Sequence, residues 1–463
     1  MRGPPAHSSL PQPPQGCLTR SGAGVNEPSR KEPGHWTWHL VGCIAALLLS
    51  VGACIPDSSP VEPAVPGPRA LPEGLPEEVR ALWVVRTSLE HPDSLEAVVE
   101  RADAGGFNTL LVEVRGRGDA WYRSEREPPP IQWDEVPKGY DPLGILVKEA
   151  GARDIQVHAW IGVHLVASAD LLPSDSLHIV RRHPDWLAVP RDLAPKLHDM
   201  DPHDPAYLDA LAEWTLENLD RVEGLYTSPA HPQVQAHVTG VVEDLLSRYP
   251  IHGIHLDYIR YPAPDFDFSR ASLVTFAQWL DSDAPGRAGL ERIGGADALE
   301  PESLPDALPE HWDEFRRNQV TNQALKIAET VRAGWPQALV SAAVFPDLDD
   351  AHHTRFQPWG QWLEWGVVDV ATPMAYTNDP GTFTQHLNGA LGLGTSSRIW
   401  IGVGLFENSF SEAVSQAHLA RSNGFGGVAL FSYDWAIGPE GSAAAGTGPG
   451  GYLLRWGQEG WIH

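Results

Sequence analysis

The sequence predicts a closed (β/α)8 barrel of the TIM type, preceded by an N-terminal signal and lipoprotein segment and a flexible tether. From Glu77 onward, short apolar runs alternate with amphipathic helical patterns, which is typical of βα units around a parallel sheet. Eight such runs are present, the number that closes a barrel, and 463 residues are enough to bury one core of this size. The predicted strands are Ala81–Thr87, Thr109–Arg115, Gln156–His164, Gly253–Ile259, Ala338–Phe345, Val368–Tyr376, Arg398–Leu405 and Gly427–Asp434.

Amphipathic stretches between these runs predict the helices. The clearest are Ser94–Ala104, Val234–Tyr249 and Trp312–Gly334, with Ala206–Leu219 as an extra helix before the fourth strand. The stretch Ser282–Pro309 is rich in Gly, Ala, Asp and Pro and predicts a long loop or small excursion. We therefore assign the barrel to residues 77–438, and residues 439–463 to a C-terminal tail that packs on the barrel or trails from it.

The formal charge is strongly negative, at -27, from 60 acidic and 33 basic side chains. Nucleic acids and anionic membrane surfaces bind clusters of Lys and Arg, so this excess of carboxylates argues against either partner. A neutral or amino-bearing substrate is easier to accommodate. Solubility at a surface is the alternative explanation of the same charge.

The N-terminal region has the features of an export signal. Two basic residues, Arg30 and Lys31, precede the apolar run Leu40–Val51, which is too short to span a membrane but suits the core of a signal peptide. Small residues then lead into Cys54 and resemble the lipobox of bacterial lipoproteins, in which the cysteine is acylated and becomes the new N-terminus. We therefore predict a signal peptide with an extended n-region over residues 1–53. A plain secretory signal with an incidental cysteine is the alternative.

Residues 54–76 are predicted to be an acylated cysteine followed by a flexible tether, because they are rich in Pro, Ser and Glu and lack hydrophobic periodicity. The expected location is the cell envelope, with the chain held on a membrane by a lipid at Cys54. The three cysteines, Cys17, Cys43 and Cys54, all lie in or before the processing site, so the barrel has no thiol for a disulfide, a metal or a nucleophile. We expect a monomer without metal or cofactor.

Chemistry in such a barrel is expected at the carboxyl ends of the strands, where the βα loops converge. The period of two in the second predicted strand turns Glu113 and Arg115 away from the helix-facing apolar residues, and Asp119 follows in a Gly-rich loop. We predict that Glu113 is catalytic and that Arg115 and Asp119 bind substrate. An ion pair that only shapes the loop is the alternative.

The same alternation directs His158 and Trp160 of the third predicted strand inward, where both are expected to bind substrate. A tryptophan ring can stack on a sugar face, and an ordinary core aromatic is the alternative. At later strand ends, Tyr376 and Asp434 are predicted to line the cleft, with core or rim positions as the alternative. Glu407 is less favoured because it begins a loop.

The fourth predicted strand is the most informative, because its alternation leaves His255 and Asp257 on the inward face. A carboxylate pointing into a barrel is costly unless it is paired or functional. Glycoside hydrolysis uses two carboxyl groups, one that protonates the leaving oxygen and one that attacks or activates water. We predict Asp257 as one of them and Glu113 as the other, with Asp119 and Asp434 as alternatives to Glu113; His255 is expected to bind substrate.

Several motifs resemble the family 10-like bacterial glycosyl hydrolases, a group distinct from the xylanases of similar number, from about Val79 to Gly438. The motifs are Arg80-Ala81-Leu82-Trp83-Val84, Gly106 to Thr109, Glu113 to Tyr122, Tyr140-Asp141-Pro142-Leu143, His158-Ala159-Trp160, Gly253 to Pro262 and Val368 to Tyr376. The resemblance implies a barrel with a carbohydrate cleft, and some members are lipoproteins that cut peptidoglycan glycan strands stripped of peptides. We therefore expect a glycoside hydrolase that acts on a cell-envelope polysaccharide of this kind.

The chain departs from the family pattern beside Asp257. Relatives often carry Asp at the position of His252 and sometimes a second acidic residue at the position of Tyr258. Asp257 remains the matched carboxylate, and Tyr258 is predicted to contact substrate. The motif is also similar to the strand-four motif of chitinases, but Arg260 stands near the position of their proton-donating Glu, so the chitinase mechanism does not transfer.

Two other functions are compatible with the sequence. A non-catalytic, carbohydrate-binding surface lipoprotein would explain the 18 tryptophans and the uncertain second carboxylate. A metal hydrolase could use His158, His255 and Asp257, because inward histidines at strand ends can bind zinc. The second alternative is disfavoured, since no His-x-His or His-Glu-x-x-His spacing accompanies these residues.

Overall fold

The computed structural model describes residues 67–130, 133, 139–295, 299–446, 448 and 450–461. The described residues belong to one compact unit within Val65–His463, which contains the barrel. The predicted signal peptide, the predicted lipid attachment at Cys54 and most of the predicted tether lie outside the described residues.

Eight parallel strands follow one another around a closed barrel. The described residues form ten strands in all, of which β4 and β5 lie outside the barrel: β1 (Val79–Val84), β2 (Thr109–Arg115), β3 (Gln156–Gly162), β4 (Leu165–Ala167), β5 (Leu225–Tyr226), β6 (Gly253–Asp257), β7 (Leu339–Val344), β8 (Val370–Pro373), β9 (Trp400–Gly404) and β10 (Gly427–Phe431). Hydrogen-bonded neighbours run in the order β8-β7-β6-β3-β2-β1-β10-β9, while β4 and β5 form a separate antiparallel pair. Bridges between Ala371 and Ile399 and between Met374 and Gly402 join β8 to β9. The predicted (β/α)8 barrel is confirmed.

Helices connect the strands on the outside of the barrel. They are α1 (Pro92–Ala104), α2 (Pro142–Gly151), α3 (Ile179–Arg182), α4 (Ala194–His198), α5 (Pro205–Glu217), α6 (Pro232–Arg248), α7 (Arg270–Ser282), α8 (Ala284–Arg292), α9 (Leu304–Ala307), α10 (Pro309–Gly334), α11 (Leu348–His353), α12 (Trp359–Glu364), α13 (Pro380–Leu391), α14 (Phe410–Ser422), α15 (Tyr433–Ile437), α16 (Pro439–Ala445) and α17 (Gly451–Arg455). Within the described part of the chain, none of these helices combines the length and the apolar character that crossing a membrane requires.

The start of α2 shows how local sequence sets the helix ends. Asp141 accepts a hydrogen bond from the backbone N of Gly144 at 3.1 Å, and Pro142 occupies the first turn, where a helix lacks a partner for the backbone N–H. The hydroxyl of Tyr249, just after α6, also donates to Asp141 at 2.9 Å. The Tyr140-Asp141-Pro142-Leu143 motif therefore both begins α2 and fastens it to the end of α6.

The predicted elements differ from the observed ones mainly at their ends. Every predicted strand overlaps a barrel strand, but the prediction Val368–Tyr376 is longer than β8 because apolar residues continue into the following loop. The stretch Ser282–Pro309, predicted as a long loop or small excursion, contains the short helices α8 and α9 and is therefore an excursion and not a plain loop. Asp283 caps α8 by accepting a hydrogen bond from the N of Gly286. No periodic pattern marks the short β4–β5 pair.

Large side chains fill the barrel, and glycines make room for them. Trp83 and Trp400 are almost fully buried. A Cβ atom added at Gly402 would lie 3.2 Å from the Trp83 ring, and one at Gly427 would lie 3.0 Å from the Trp400 ring. The interior is therefore a packed core and not a pore, as is usual for this fold, so a long substrate has to lie across the mouth.

The last residues of the predicted tether lie against the barrel instead of extending freely. Arg69 donates two hydrogen bonds to the carboxylate of Asp369, at 2.8 and 2.7 Å, and two more to backbone carbonyl oxygens just before β7, at 2.8 and 2.7 Å. Leu71 and Leu75 pack against the apolar residues inside the barrel. Residues 67–76 therefore close the amino-terminal end of the barrel.

The C-terminal residues pack against the outer helices. After α17, the turn Trp456–Gly460 has π-helical hydrogen bonding. The ring of Trp461 then meets the ring of Phe107 edge to face at 5.6 Å, and its Nε1 donates to the carbonyl of Gly105 at 2.8 Å. These contacts tie the C-terminal residues to the turn between α1 and β2.

Candidate active site

Asp257 is the last residue of β6 and lies at the carboxyl-terminal mouth of the barrel. Its residue surface is only 7% exposed. The indole Nε1 of Trp160, on the neighbouring strand β3, donates to Oδ2 at 3.1 Å, and the backbone N of Tyr258 donates to Oδ1 at 2.7 Å. Both carboxyl oxygens are thus held in place, and the structure brings three of the predicted site residues together.

The pKa of Asp257 is raised to about 6, chiefly because the carboxyl group is buried. The negative charge of Glu113 acts in the same direction, whereas the N–H of Tyr258, the charge of Arg260 and the N–H of Trp160 lower the pKa. A carboxyl group with a pKa near 6 keeps its proton on a useful fraction of molecules near neutrality. That property suits a proton donor.

This burial predicts that Asp257→Asn stabilises the fold at neutral pH. Below about pH 4 the carboxyl is protonated in both folded and unfolded chains, so the cost of burying the charge appears only as the pH rises towards 6. Above about pH 6, burying the charge costs the wild type about 3 kcal/mol. The variant avoids this cost but loses about 1 kcal/mol, because its amide oxygen accepts a hydrogen bond from only one of the two N–H donors. In urea unfolding, the variant should be more stable than the wild type by about 2 kcal/mol near pH 7.5 and less stable by about 1 kcal/mol near pH 3.5, where only the lost hydrogen bond remains. A variant less stable than the wild type at both values would contradict the raised pKa.

Glu113 lies near the end of β2 and is 3% exposed. The Nη1 atom of Arg86 donates to Oε1 at 2.7 Å, and the backbone N of Arg86 donates to Oε2 at 3.2 Å. Only glycine fits at position 116, since a Cβ there would lie 2.5 Å from Oε1 of Glu113 and 2.7 Å from the Arg86 side chain. The second predicted carboxylate is therefore oriented by an arginine and close enough to Asp257 to raise its pKa.

Arg86 is a site residue that the sequence pattern did not identify. Arg86 falls within the predicted strand Ala81–Thr87, and no role was predicted for it. The strand instead ends at Val84, and the 3-10 turn Arg86–Leu89 carries the side chain back to Glu113. The only feature of the sequence that could have indicated a role for Arg86 is a basic side chain near the end of a predicted barrel strand.

Arg115 does not reach the cleft, contrary to the predicted substrate contact. The side chain is fully buried, and its Nε and Nη2 donate to the carboxylate of Glu127 at 2.8 and 2.7 Å. The pairing of β2 with β3 shifts between Glu113 and Arg115, so these two residues do not continue one simple alternation. Arg115 holds the loop after β2 and has no exposed surface to offer a substrate.

His158 and His255 face inward as predicted, but deep in the core, so neither can contact a substrate. Both are fully buried, and burial lowers the pKa of each to about 3, which keeps the rings neutral. The Nε2 of His255 accepts a hydrogen bond from Trp83 at 3.2 Å, and its Nδ1 bonds Ser341 at 2.9 Å. Over the residues that the structure describes, no group of three or more His, Cys, Asp or Glu side chains is placed to hold a metal ion.

Asp434 follows β10 and supports the loop after β1. Its Oδ2 accepts a hydrogen bond from the backbone N of Val85 at 2.7 Å, and its Oδ1 accepts from the hydroxyls of Ser88 and, at 3.3 Å, Thr87. Burial raises its pKa, and so does the charge of Glu113. Asp434 therefore fixes the turn that carries Arg86, and its predicted contact with substrate stays a prediction.

Aromatic rings surround the carboxylates. Tyr376 is half-buried at the mouth, with its ring centre 5.4 Å from that of Phe431 and 6.2 Å from that of Trp83. Phe431 also meets Trp160 edge to face at 6.3 Å. Such a surface suits the apolar faces of sugar rings. Phe431, at the end of β10, was not singled out from the sequence.

The opposite side of Asp257 is formed by Tyr258 and two arginines. Tyr258 is half-buried and has a left-handed backbone φ of 50°, which is uncommon for a bulky residue and is often found at functional sites. The guanidinium carbons of Arg117 and Arg260 lie 6.0 and 5.2 Å from the centre of its ring. Asp119 accepts a hydrogen bond from the backbone N of Arg117 at 3.1 Å and so shapes the loop after β2.

A closed (β/α)8 barrel with buried carboxylates and aromatic rings at the carboxyl ends of its strands is an architecture that many glycoside hydrolases use. The model of one family, glycosyl hydrolase-like 10, matches residues 78–418. The chain belongs to this family, which confirms the resemblance drawn from its motifs.

Individual relatives are distant. The chain is 25% identical over 378 residues to glycosyl hydrolase DigH of Escherichia coli (strain K12). The aligned region covers 73% of this chain and 74% of DigH. The chain is 22% identical over 335 residues to glycosyl hydrolase YngK of Bacillus subtilis (strain 168), which covers 65% of this chain but 54% of that protein. The chain thus spans about half the length of YngK.

Solved structures share the fold. The glycoside hydrolase domain of PgaB (BpsB) from Bordetella bronchiseptica superposes with a TM-score of 0.55 at 14% identity, over 80% of this chain and 99% of that domain. A cold-adapted β-galactosidase from Rahnella sp. R3 gives a TM-score of 0.56 at 15% identity, over 85% of this chain and 57% of the enzyme. At this level of identity the likeness extends to the barrel alone.

Proposed function

We propose that this protein hydrolyses the glycosidic bonds of a cell-envelope polysaccharide, with peptide-free peptidoglycan glycan strands as the first candidate. One observation carries the proposal: a buried carboxyl group with a raised pKa, Asp257, shares the barrel mouth with an arginine-bound carboxylate, Glu113. Membership of the family and the glycosidase neighbours support the hydrolase class. The choice of polysaccharide rests on the resemblance of the motifs to the family.

In this mechanism Asp257 is the general acid. Its proton passes to the glycosidic oxygen while the bond between that oxygen and the anomeric carbon breaks, and the bonding electrons leave with the oxygen. As that bond breaks, Glu113 either attacks the anomeric carbon or takes a proton from the water that attacks it. In the first case water then hydrolyses the glycosyl-enzyme, with Asp257 as the base that takes its proton. Arg86 orients Glu113, and Trp160 orients Asp257. The rings of Tyr376 and Phe431 provide the surface on which a sugar lies.

The test is digestion of defined glycans by the full-length protein. Peptide-free peptidoglycan strands, chitin oligosaccharides and a neutral glucan are incubated with the wild type and with a Glu113→Gln, Asp257→Asn double variant. Mass spectrometry should detect shortened strands with new reducing ends from the wild type only. Absence of products on every glycan, with a protein that unfolds cooperatively, would overturn the hydrolase.

A second candidate function is carbohydrate binding without cleavage. It is favoured by the Arg86 contacts to both oxygens of Glu113, which engage the group that would have to attack or activate water. Calorimetry on the same glycans separates the two functions. Binding without any shortened strand selects the binding protein, and products with new reducing ends select the enzyme.

We also propose that the protein is exported and anchored by a lipid at Cys54, and that it acts as a monomer without a cofactor or a nucleic-acid partner. The small residues before Cys54 and the apolar run before them support the anchor. Metabolic labelling with palmitate should mark the wild type in the membrane fraction and leave Cys54→Ser unlabelled. Labelling of both proteins, or of neither, would contradict the anchor.

A further inference from the structure

Arg117 is a positively charged side chain at the barrel mouth that the proposed reaction does not use. It lies in the loop after β2, with its guanidinium carbon 6.0 Å from the centre of the Tyr258 ring. Tyr258 follows Asp257 directly, and its backbone N holds the Asp257 carboxyl group. The charge of Arg117 therefore lies beside the position at which a sugar bound to Asp257 would sit.

The backbone around Arg117 is fixed from both sides. Its N–H donates to Asp119 at 3.1 Å, and its carbonyl accepts a hydrogen bond from Nε2 of His178 at 2.8 Å. The next residue is Gly118, with a left-handed φ of 72°, where a Cβ would lie 3.2 Å from the His178 ring. The Nη1 of Arg117 donates to the carbonyl of Gly116 at 2.8 Å. A guanidinium held this firmly is oriented before any ligand binds, which reduces the entropy lost on binding.

The charge of Arg117 is not neutralised by a neighbour, unlike that of the other arginines around the site. The pairs Arg86–Glu113, Arg115–Glu127 and Arg260–Glu223 have N–O distances of 2.7, 2.7 and 2.6 Å. Arg117 forms no ion pair with any residue that the structure describes, and its buried Nε has no hydrogen-bond partner among them. This is notable in a chain with 60 acidic and 33 basic residues. A guanidinium group without an ion-pair partner matches a carboxylate.

We propose that Arg117 binds a carboxylate on the sugar that lies beside Asp257 and so selects an anionic glycan. The inference rests on the proposed function and narrows its substrate to a chain with acidic sugars. Two sources carry this group, the lactyl ether of N-acetylmuramic acid and the carboxyl group of a uronic acid. The overall charge of -27 repels an anionic chain at long range. Recognition therefore depends on the local contact between Arg117 and the carboxylate, and we expect added salt to weaken binding little.

Calorimetry on the full chain with Asp257→Asn, in which turnover is suppressed, tests the inference. The probes are two disaccharides, one of N-acetylglucosamine and N-acetylmuramic acid and one that contains a uronic acid, each used as such and with its carboxyl group reduced to an alcohol. We expect one of the two carboxylates to bind about tenfold to a hundredfold more tightly than its neutral counterpart. Adding Arg117→Met should remove this difference in affinity, because methionine is unbranched like the arginine stem and carries no charge.

The matched control is Arg292→Met, which removes the same charge from an exposed position on α8 and should leave the ratio unchanged. Equal affinity for the charged and neutral disaccharides, or an unchanged ratio in Arg117→Met, overturns the inference. Digestion by the wild type separates this result from the proposed function. Cleavage without carboxylate preference overturns only the inference, carboxylate-selective binding without cleavage overturns only the hydrolase, and the absence of both binding and cleavage overturns both.

Discussion

Replacement of Asp257 by asparagine is expected to lower kcat on glycan strands by about 10³-fold, the contribution typical of a general acid. An amide keeps the shape of the side chain but has no acidic proton to give to the leaving oxygen. Steady-state rates of new reducing ends, measured for wild type and variant on the same strands, give the ratio. Because the variant is expected to be more stable than the wild type at neutral pH, lost activity cannot be ascribed to unfolding.

Leaving-group dependence distinguishes an acid from a residue that merely binds. The dinitrophenolate group of a dinitrophenyl glycoside leaves without being protonated. Asp257→Asn should therefore slow the first step on such a substrate less than about tenfold. The wild type should lose kcat/KM about tenfold per pH unit above about pH 6, because the protonated form is required, and the variant should lose this dependence. Equal losses on both substrates, or an unchanged pH profile, would remove Asp257 from the role of acid.

Replacement of Glu113 by glutamine is expected to lower kcat by about 10⁴-fold or more on both the natural strand and the activated glycoside. The reason is that attack on the anomeric carbon, directly or through water, is needed whatever group departs. The matched control is Glu407→Gln, which changes a half-buried glutamate in the loop after β9 and should alter the rate less than about threefold. Similar losses in both variants would show that Glu113 has no special role.

Azide separates the two possible roles of Glu113. In Glu113→Ala the small anion can occupy the space of the missing carboxylate and attack the activated glycoside. A glycosyl azide of inverted configuration is expected if the wild type forms a covalent intermediate at Glu113. If the wild type uses Glu113 only to activate water, its own sugar product has inverted configuration, which nuclear magnetic resonance of the fresh product detects.

Alternation of apolar residues was enough to predict the barrel and to place Asp257 at a strand end. The same rule misplaced Arg115, because the shift in β2–β3 pairing after Glu113 depends on the neighbouring strand and not on local sequence. The rule also predicted that His158 and His255 face inward, but not how far they lie from the mouth of the barrel. That distance depends on the stagger of the strands around the barrel, which the sequence of a single strand does not reveal.

Residues in loops were hardest to predict. Arg86 and Arg117 both follow barrel strands, where a period of two no longer applies, and each is directed by contacts from distant parts of the chain. Arg86 is positioned by the turn that Asp434 holds, and Arg117 by His178. Such contacts join residues far apart in sequence, so their geometry appears only in the folded chain.

The hydrogen bonds between Arg69 and Asp369 also affect how the barrel responds to a pulling force. Tension applied to the chain ahead of residue 67 first reaches the barrel at Asp369, beside β8, and not at the strand that the chain enters next. All four hydrogen bonds that Arg69 donates, two to Asp369 at 2.8 and 2.7 Å and two to backbone carbonyl oxygens at 2.8 and 2.7 Å, must break before force reaches β1. Strand β1 is itself paired with β2 on one side and β10 on the other. The loop that carries Arg86 is thereby shielded from strain, so a pulled molecule can keep its carboxylates aligned.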